Sequence, residues 1–152
     1  MTDAEYEAQR ERILSLSKWW IDALGLWQWE INFSWARDSY KTPGAPDGRE
    51  SVASTDVDWD YAQATITWNM PEVTRFSERK LEEICCHELM HVVVNSMRCE
   101  HREDAPDLYR HEELVCTMLA RAYLRLRYPE QETDETSAVA APDAASEEVK
   151  HG

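Results

Sequence analysis

Positive charge is scarce in this chain of 152 residues. Lys and Arg total 16 against 30 Asp and Glu, which gives a formal net charge of −14 and a pI near 4.7. Phosphate contact needs clustered cations, so this balance argues against a general binder of nucleic acid or of an anionic membrane surface. Also missing is any run approaching the ~18 uninterrupted apolar residues of a membrane-spanning helix. The first residues, Met1 to Glu5, are acidic and lack the basic-then-apolar order of a secretory signal. The expectation is a cytoplasmic protein that contacts no membrane. No CxxC pair occurs among Cys85, Cys86, Cys99 and Cys116, and the adjacent Cys85-Cys86 makes a poor disulfide framework. The four read as small, reduced core residues. No internal repeat is present.

What is there suits one domain: 43% of the residues are hydrophobic, enough for a single core. Residues 3–24 predict an amphipathic helix, with Ile13, Leu14, Leu16, Trp20, Ile21 and Leu24 at helical spacing, Asp3 available as cap and Gly25 ending it. From Trp27 to Trp35 apolar and polar residues alternate strictly, which is a strand pattern. Pro43 to Gly48 is rich in turn residues. Two further strands follow: Ala53, Thr55, Val57 and Trp59 on one face, then Ala62, Ala64, Ile66 and Trp68. The short Asp60-Tyr61 junction between them predicts an antiparallel hairpin. Beyond Pro71 the period turns helical. Ser77 is placed to cap a helix running to about Met97, and Asp107 to cap one running to about Tyr128, stopped by Pro129. The predicted fold class is α+β, with a small, mostly antiparallel three-stranded sheet. The domain is expected to span 1–129. Residues 130–152 carry seven acids against Lys150 and no aromatic, so they are expected to be a disordered acidic tail.

His87-Glu88-Leu89-Met90-His91 is an HExxH run within the first of these late helices. Helical residues four apart return to nearly one face, so His87 and His91 can aim two imidazole nitrogens at one point. Zn2+ accepts such nitrogens, and Glu88 on the flank of that face is placed to take a proton from a metal-bound water. The flanking Ile84, Leu89, Val92, Val93 and Val94 predict a buried helix, where polar groups need partners. A catalytic zinc usually takes a third protein ligand. Val94 and Met97 occupy the glycine and histidine positions of HExxHxxGxxH, which excludes that spacing. His101, His111, Glu112, Glu113 and, remotely, Cys99 remain. Glu113 is preferred because it shares a face with Cys116, Thr117 and Ala120, small residues that allow close approach; Thr117 is placed to hydrogen-bond a ligand. Glu112 begins a face with Val115, Cys116, Leu119 and Tyr123 that reads as core, though a buried carboxylate there would also call for a metal.

HELMH, followed about twenty residues later by EELVCTMLARAYL, resembles the gluzincin pattern of zinc metallopeptidases. It is most similar to minimal phage and prophage versions and to the peptidase domain of ImmA/IrrE-type regulators. The resemblance covers roughly residues 10–128. It implies a zincin-like fold, a peptide or protein substrate, zinc on His87, His91 and Glu113, and Glu88 as the catalytic base. The chain departs from the pattern at Thr117, where gluzincins often carry Asn or Asp.

The leading functional expectation is therefore a zinc-dependent peptidase. An extended substrate would pair with the strand Ala62 to Trp68. His101, Tyr109, His111 and Tyr123 are the candidates to polarise the scissile carbonyl. One alternative is a SprT-like protease with His101 or His111 as third ligand. Another is a zinc-binding regulatory module without turnover, in which some of the seven tryptophans form an interaction surface. The oligomeric state is left open.

Overall fold

In the computed structural model, which describes residues 1–38, 51–95 and 106–129, helix α1 (Asp3–Ala23) opens the chain. Its cap is Thr2, not Asp3. The Thr2 hydroxyl accepts from the Glu5 N–H while the Glu5 carboxylate accepts from the Thr2 N–H, a reciprocal capping box that a residue one position later cannot make. Gly25, at φ +69°, turns the chain out of the helix.

A 3-10 turn (Leu26–Gln28) follows, so strand β1 (Glu30–Ala36) starts later than the alternation from Trp27 suggests. The Trp29 N–H bonds the Leu26 carbonyl at 3.0 Å, which spends this stretch of backbone locally. Trp27 is 77% exposed.

Strands β2 (Ala53–Asp58) and β3 (Gln63–Asn69) form the expected antiparallel hairpin. The sheet as a whole is mixed and not mostly antiparallel. Its order is β1-β3-β2, and β1 runs parallel to β3 in register from Glu30↔Gln63 to Ala36↔Asn69. Alternation in sequence specifies which face of a strand is buried, not which strand lies beside it. This order overturns Ala62 to Trp68 as a docking strand, because both edges of β3 are already paired. Among the described residues, the unpaired edge near the candidate site belongs to β2. The Val52 carbonyl accepts from the Asn69 N–H at 2.9 Å. By the alternation of an antiparallel ladder, Ala53, Thr55 and Val57 then direct their backbone groups outward.

A short helix α2 (Met70–Val73), not expected from the sequence, tolerates Pro71 in its first turn and buries Met70 and Val73. Helix α3 (Glu78–Val94) is capped by the Ser77 hydroxyl, as expected, and reaches Asn95; the expected end at Met97 lies outside the described residues. Helix α4 (Pro106–Arg127) begins one residue before Asp107. Asp107 is therefore inside the helix and not its cap, and the residues before Pro106 lie outside the described ones.

Four helices and a mixed three-stranded sheet make this an α+β protein among the described residues. Helix α3 is its centre, packed on α1, α4 and β2. Leu81, Cys85, Cys86, Leu89, Met90 and Val92 are all at most 1% exposed, joined in one core by Ile13, Trp20, Ile66, Trp68, Cys116 and Ala120. Cys85, Cys86 and Cys116 are free and buried, in keeping with their reading as core residues; burial pushes the Cys85 thiol up to about 12. At the far end of α4, buried Glu82 accepts from Trp20 Nε1 (3.1 Å) and the Tyr128 hydroxyl (3.0 Å) and pairs with Arg127 (2.6 Å). No described helix is long and apolar enough to cross a membrane. The Pro43 to Gly48 loop, Cys99, His101 and the 130–152 tail lie outside the described residues.

Candidate metal centre

His87 and His91 stand one turn apart on α3, where the two Nε2 atoms approach to 3.2 Å. Helix α4 brings Glu113 across from the other side. Its Oε2 lies 3.4 Å from His87 Nε2 and its Oε1 3.4 Å from His91 Nε2. A tetrahedral ion with donors at ~2.0–2.1 Å separates those donors by about 3.3–3.4 Å, the edge of the tetrahedron. The two imidazoles stand near that edge length, and the carboxylate reaches each ring through a different oxygen, one ligand atom from each residue lying within 4.8 Å of the others. The three residues form the one such group of three or more His, Cys, Asp or Glu among the described residues. Two nitrogens and a carboxylate oxygen are also a donor set that suits Zn2+. The close approach of α4 depends on small residues: Cys116 and Ala120 face α3 and are wholly buried. His111 is exposed and is not part of the cluster.

The far nitrogens of both imidazoles are engaged as well. His91 Nδ1–H donates to the Glu112 carboxylate at 2.9 Å, with Cys116 Sγ 3.5 Å away, and Thr117 Oγ1 sits 3.4 Å from His87 Nδ1. Such contacts hold the rings with Nε2 toward the site and raise ligand basicity. Thr117 thus stands beside one of the two imidazoles. Glu112, the other glutamate considered as third ligand, is buried, as the core reading implied, and stands on Nδ1 of His91 and not beside the two Nε2 atoms. The signal for its involvement was a carboxylate on an otherwise apolar face.

Electrostatics follow from this crowding. For His91, burial works against the charge, yet hydrogen bonds to Cys116 and Glu112 and the nearby Glu88 prevail and raise it to about 10. For Glu113, burial likewise opposes ionisation, but His87 and His91 hold the carboxyl below its ordinary value. Glu88 is 6% exposed, and burial lifts its proton affinity despite the two histidines and a hydrogen bond from Thr55. That hydrogen bond, Thr55 Oγ1 to Glu88 Oε2 at 2.7 Å, ties the carboxylate to the β2 edge strand. Thr55 carries no local sequence signal, since only the packing of β2 on α3 brings it there.

Compared with protein families, with curated proteins and with solved structures, the chain matches none. The site's chemistry must be argued from its own geometry. A cavity of about 260 Å³ opens where His87 and Glu88 meet β2 and α4. Of the four residues considered for polarising a carbonyl, Tyr109 stands beside the centre, its hydroxyl donating to Glu113. Tyr123 lies against Trp20, with ring centroids 6.5 Å apart, and His101 is outside the described residues. The tryptophans are dispersed: Trp20 and Trp68 are core, Arg127 covers Trp19, and Trp29 packs on Trp59.

Proposed function

We propose that this protein is a zinc-dependent peptidase with a zincin-like arrangement, His87, His91 and Glu113 holding the metal and Glu88 acting as general base. The observation that carries the reading is three donor groups within 4.8 Å of one another, the two Nε2 atoms 3.2 Å apart and the Glu113 carboxylate facing each ring through a different oxygen at 3.4 Å, set beside a buried carboxylate. The likeness of HELMH and EELVCTMLARAYL to the gluzincin pattern points the same way. Zinc bound there supplies Lewis acidity, which acidifies water and polarises a carbonyl.

The chain's own residues supply the rest. Glu88, its proton affinity raised by burial, is suited to take a proton from attacking water and return it to the leaving amine. Thr55 fixes the direction of that carboxylate. Glu112 and Thr117 keep the imidazoles aimed. The outward backbone groups of Thr55 and Val57 offer an extended peptide a strand to pair with, on the same element that positions the base, while the Ala53 carbonyl already accepts from the Ser51 hydroxyl.

The test is Glu88→Gln in the full chain. The variant is expected to keep one zinc per chain and its fold while peptide hydrolysis falls by about 10²–10⁴-fold, the usual worth of a positioned acid–base group. Hydrolysis at the parental rate would remove the mechanism. A parental chain that takes up no zinc, or loses none in His87→Ala, would remove the metal site itself.

A further inference from the structure

The cavity beside Glu88 extends past the metal centre. Ile84 lines it one helical turn before Glu88 and Lys80 a further turn back on α3, while Arg121 faces them from α4. Its volume of about 260 Å³ is several times the ~30 Å³ share of one water in the liquid, room for an amino-acid side chain. The walls near Glu88 include the apolar Val52, Ala53, Ile84 and Ala120.

The far end is charged. Glu83 Oε2 accepts from Lys80 Nζ at 2.9 Å, and Oε1 accepts from Arg121 Nε at 3.2 Å. Both carboxylate oxygens are thereby engaged. An ammonium carries three donors and a guanidinium five, and Glu83 takes one from each. At this end two cations face one acid, Glu83, while the second acid of the lining, Glu88, lies two helical turns from Lys80 along α3.

We propose that the cavity is a specificity pocket for a carboxylate of the substrate, received by Lys80 and Arg121 beside the bond that Glu88 attacks. The inference rests on the peptidase reading and names its substrate class. Apolar walls suit the methylene stem of a glutamate, and the two cations suit its oxygens through charge-assisted hydrogen bonds. A lysine entering the same space meets two like charges and an acid whose oxygens are already taken. The same carboxylate chemistry is offered by an acidic side chain within a peptide or by a free C-terminus.

The experiment is calorimetric titration of the full chain carrying Glu88→Gln, supplied with zinc. The probes are acetyl-Ala-Ala-Glu-Ala-Ala-amide, its Gln and Lys counterparts, and acetyl-Ala-Ala-Ala with a free C-terminus. The Glu peptide is expected to bind about tenfold tighter than the Gln peptide, as one hydrogen-bonded charge is worth, and the Lys peptide most weakly. Tighter binding of the free-C-terminus peptide instead assigns the pocket to a terminal carboxylate. Replacing both Lys80 and Arg121 by Met should erase the preference while zinc stoichiometry holds, since their side chains are 45% and 66% exposed. Should that variant fail to fold, Lys80→Gln and Arg121→Gln singly should each shrink it. Equal affinity for all four peptides, or a preference that survives these exchanges, overturns the pocket. Hydrolysis by the parental chain without a carboxylate preference sinks this inference alone, whereas the preference without any hydrolysis sinks the peptidase reading alone.

Discussion

Two adjacent glutamates address opposite nitrogens of one imidazole: Glu112 accepts from His91 Nδ1, and Glu113 faces His91 Nε2. Exchanging them in function would require α4 to roll about its axis by roughly the 100° between successive helical residues. Wholly buried Cys116 and Ala120 set that roll by letting α4 lie flat on α3. This is why both glutamates stayed candidates for the third ligand in the sequence: both sit on plausible faces, and only tertiary packing turns Glu113 toward the two Nε2 atoms and Glu112 toward Nδ1 of His91. Glu112→Gln keeps a hydrogen-bond acceptor and loses the charge. Its zinc affinity is expected to fall about 10–100-fold, the usual cost of losing an outer partner, with the fold intact. Glu113→Gln should cost more, because it removes a donor from the centre. Competition with a chromogenic chelator gives both numbers; a Glu112→Gln chain that binds zinc as tightly as the parent would show that His91 needs no such support.

At the scale of elements, the helices were more legible than the sheet. Ser77 as a cap and the apolar period of α3 follow from local chemistry, and the HExxH spacing needs nothing beyond a helix. The parallel pairing of β1 with β3 has no such local cause, because residues 37–52 separate β1 from the hairpin. The clamp at the end of α4 was equally invisible, since Glu82, Trp20, Arg127 and Tyr128 come from distant stretches of chain. That clamp predicts a stability effect without a site effect. Arg127→Ala removes the cation paired with a carboxylate that is 3% exposed. The loss should be about 2 kcal/mol, less than the 3–5 kcal/mol typical of breaking a buried pair, because Trp20 and Tyr128 still donate to Glu82. Urea unfolding measures it, and zinc stoichiometry in native buffer should stay at the parental value. Unchanged stability would mean that Arg127 does no more than cover Trp19.

Across the whole molecule, the candidate centre joins α3 to α4 while Glu88 joins α3 to β2, so metal binding and folding are linked. An ion that binds only the folded chain adds about 2.7 kcal/mol at a free concentration 100-fold above its Kd, or roughly 5–10 °C in Tm for a protein of this size. The size of that gain should depend on pH through His91. In the metal-free chain His91 holds its proton up to about pH 10, against 6.5 for a free imidazole. A group that binds its proton more tightly when folded contributes its stability in full below the unfolded value and loses it as pH rises through the folded one. The charged His91–Glu112 pair therefore supports the metal-free fold fully below about pH 6.5 and progressively less toward pH 10. With zinc on Nε2 the ring is neutral throughout this window and has no such contribution to lose. Metal uptake also becomes easier as fewer protons compete for the ring. These are one linkage seen from its two sides, so the gap in Tm between zinc-loaded and metal-free protein should widen steadily from pH 6.5 to 9.5. Calorimetric scans of the two forms at matched ionic strength test this. Parallel curves, or a gap that closes as pH rises, would mean that His91 is not the residue on which metal and proton compete.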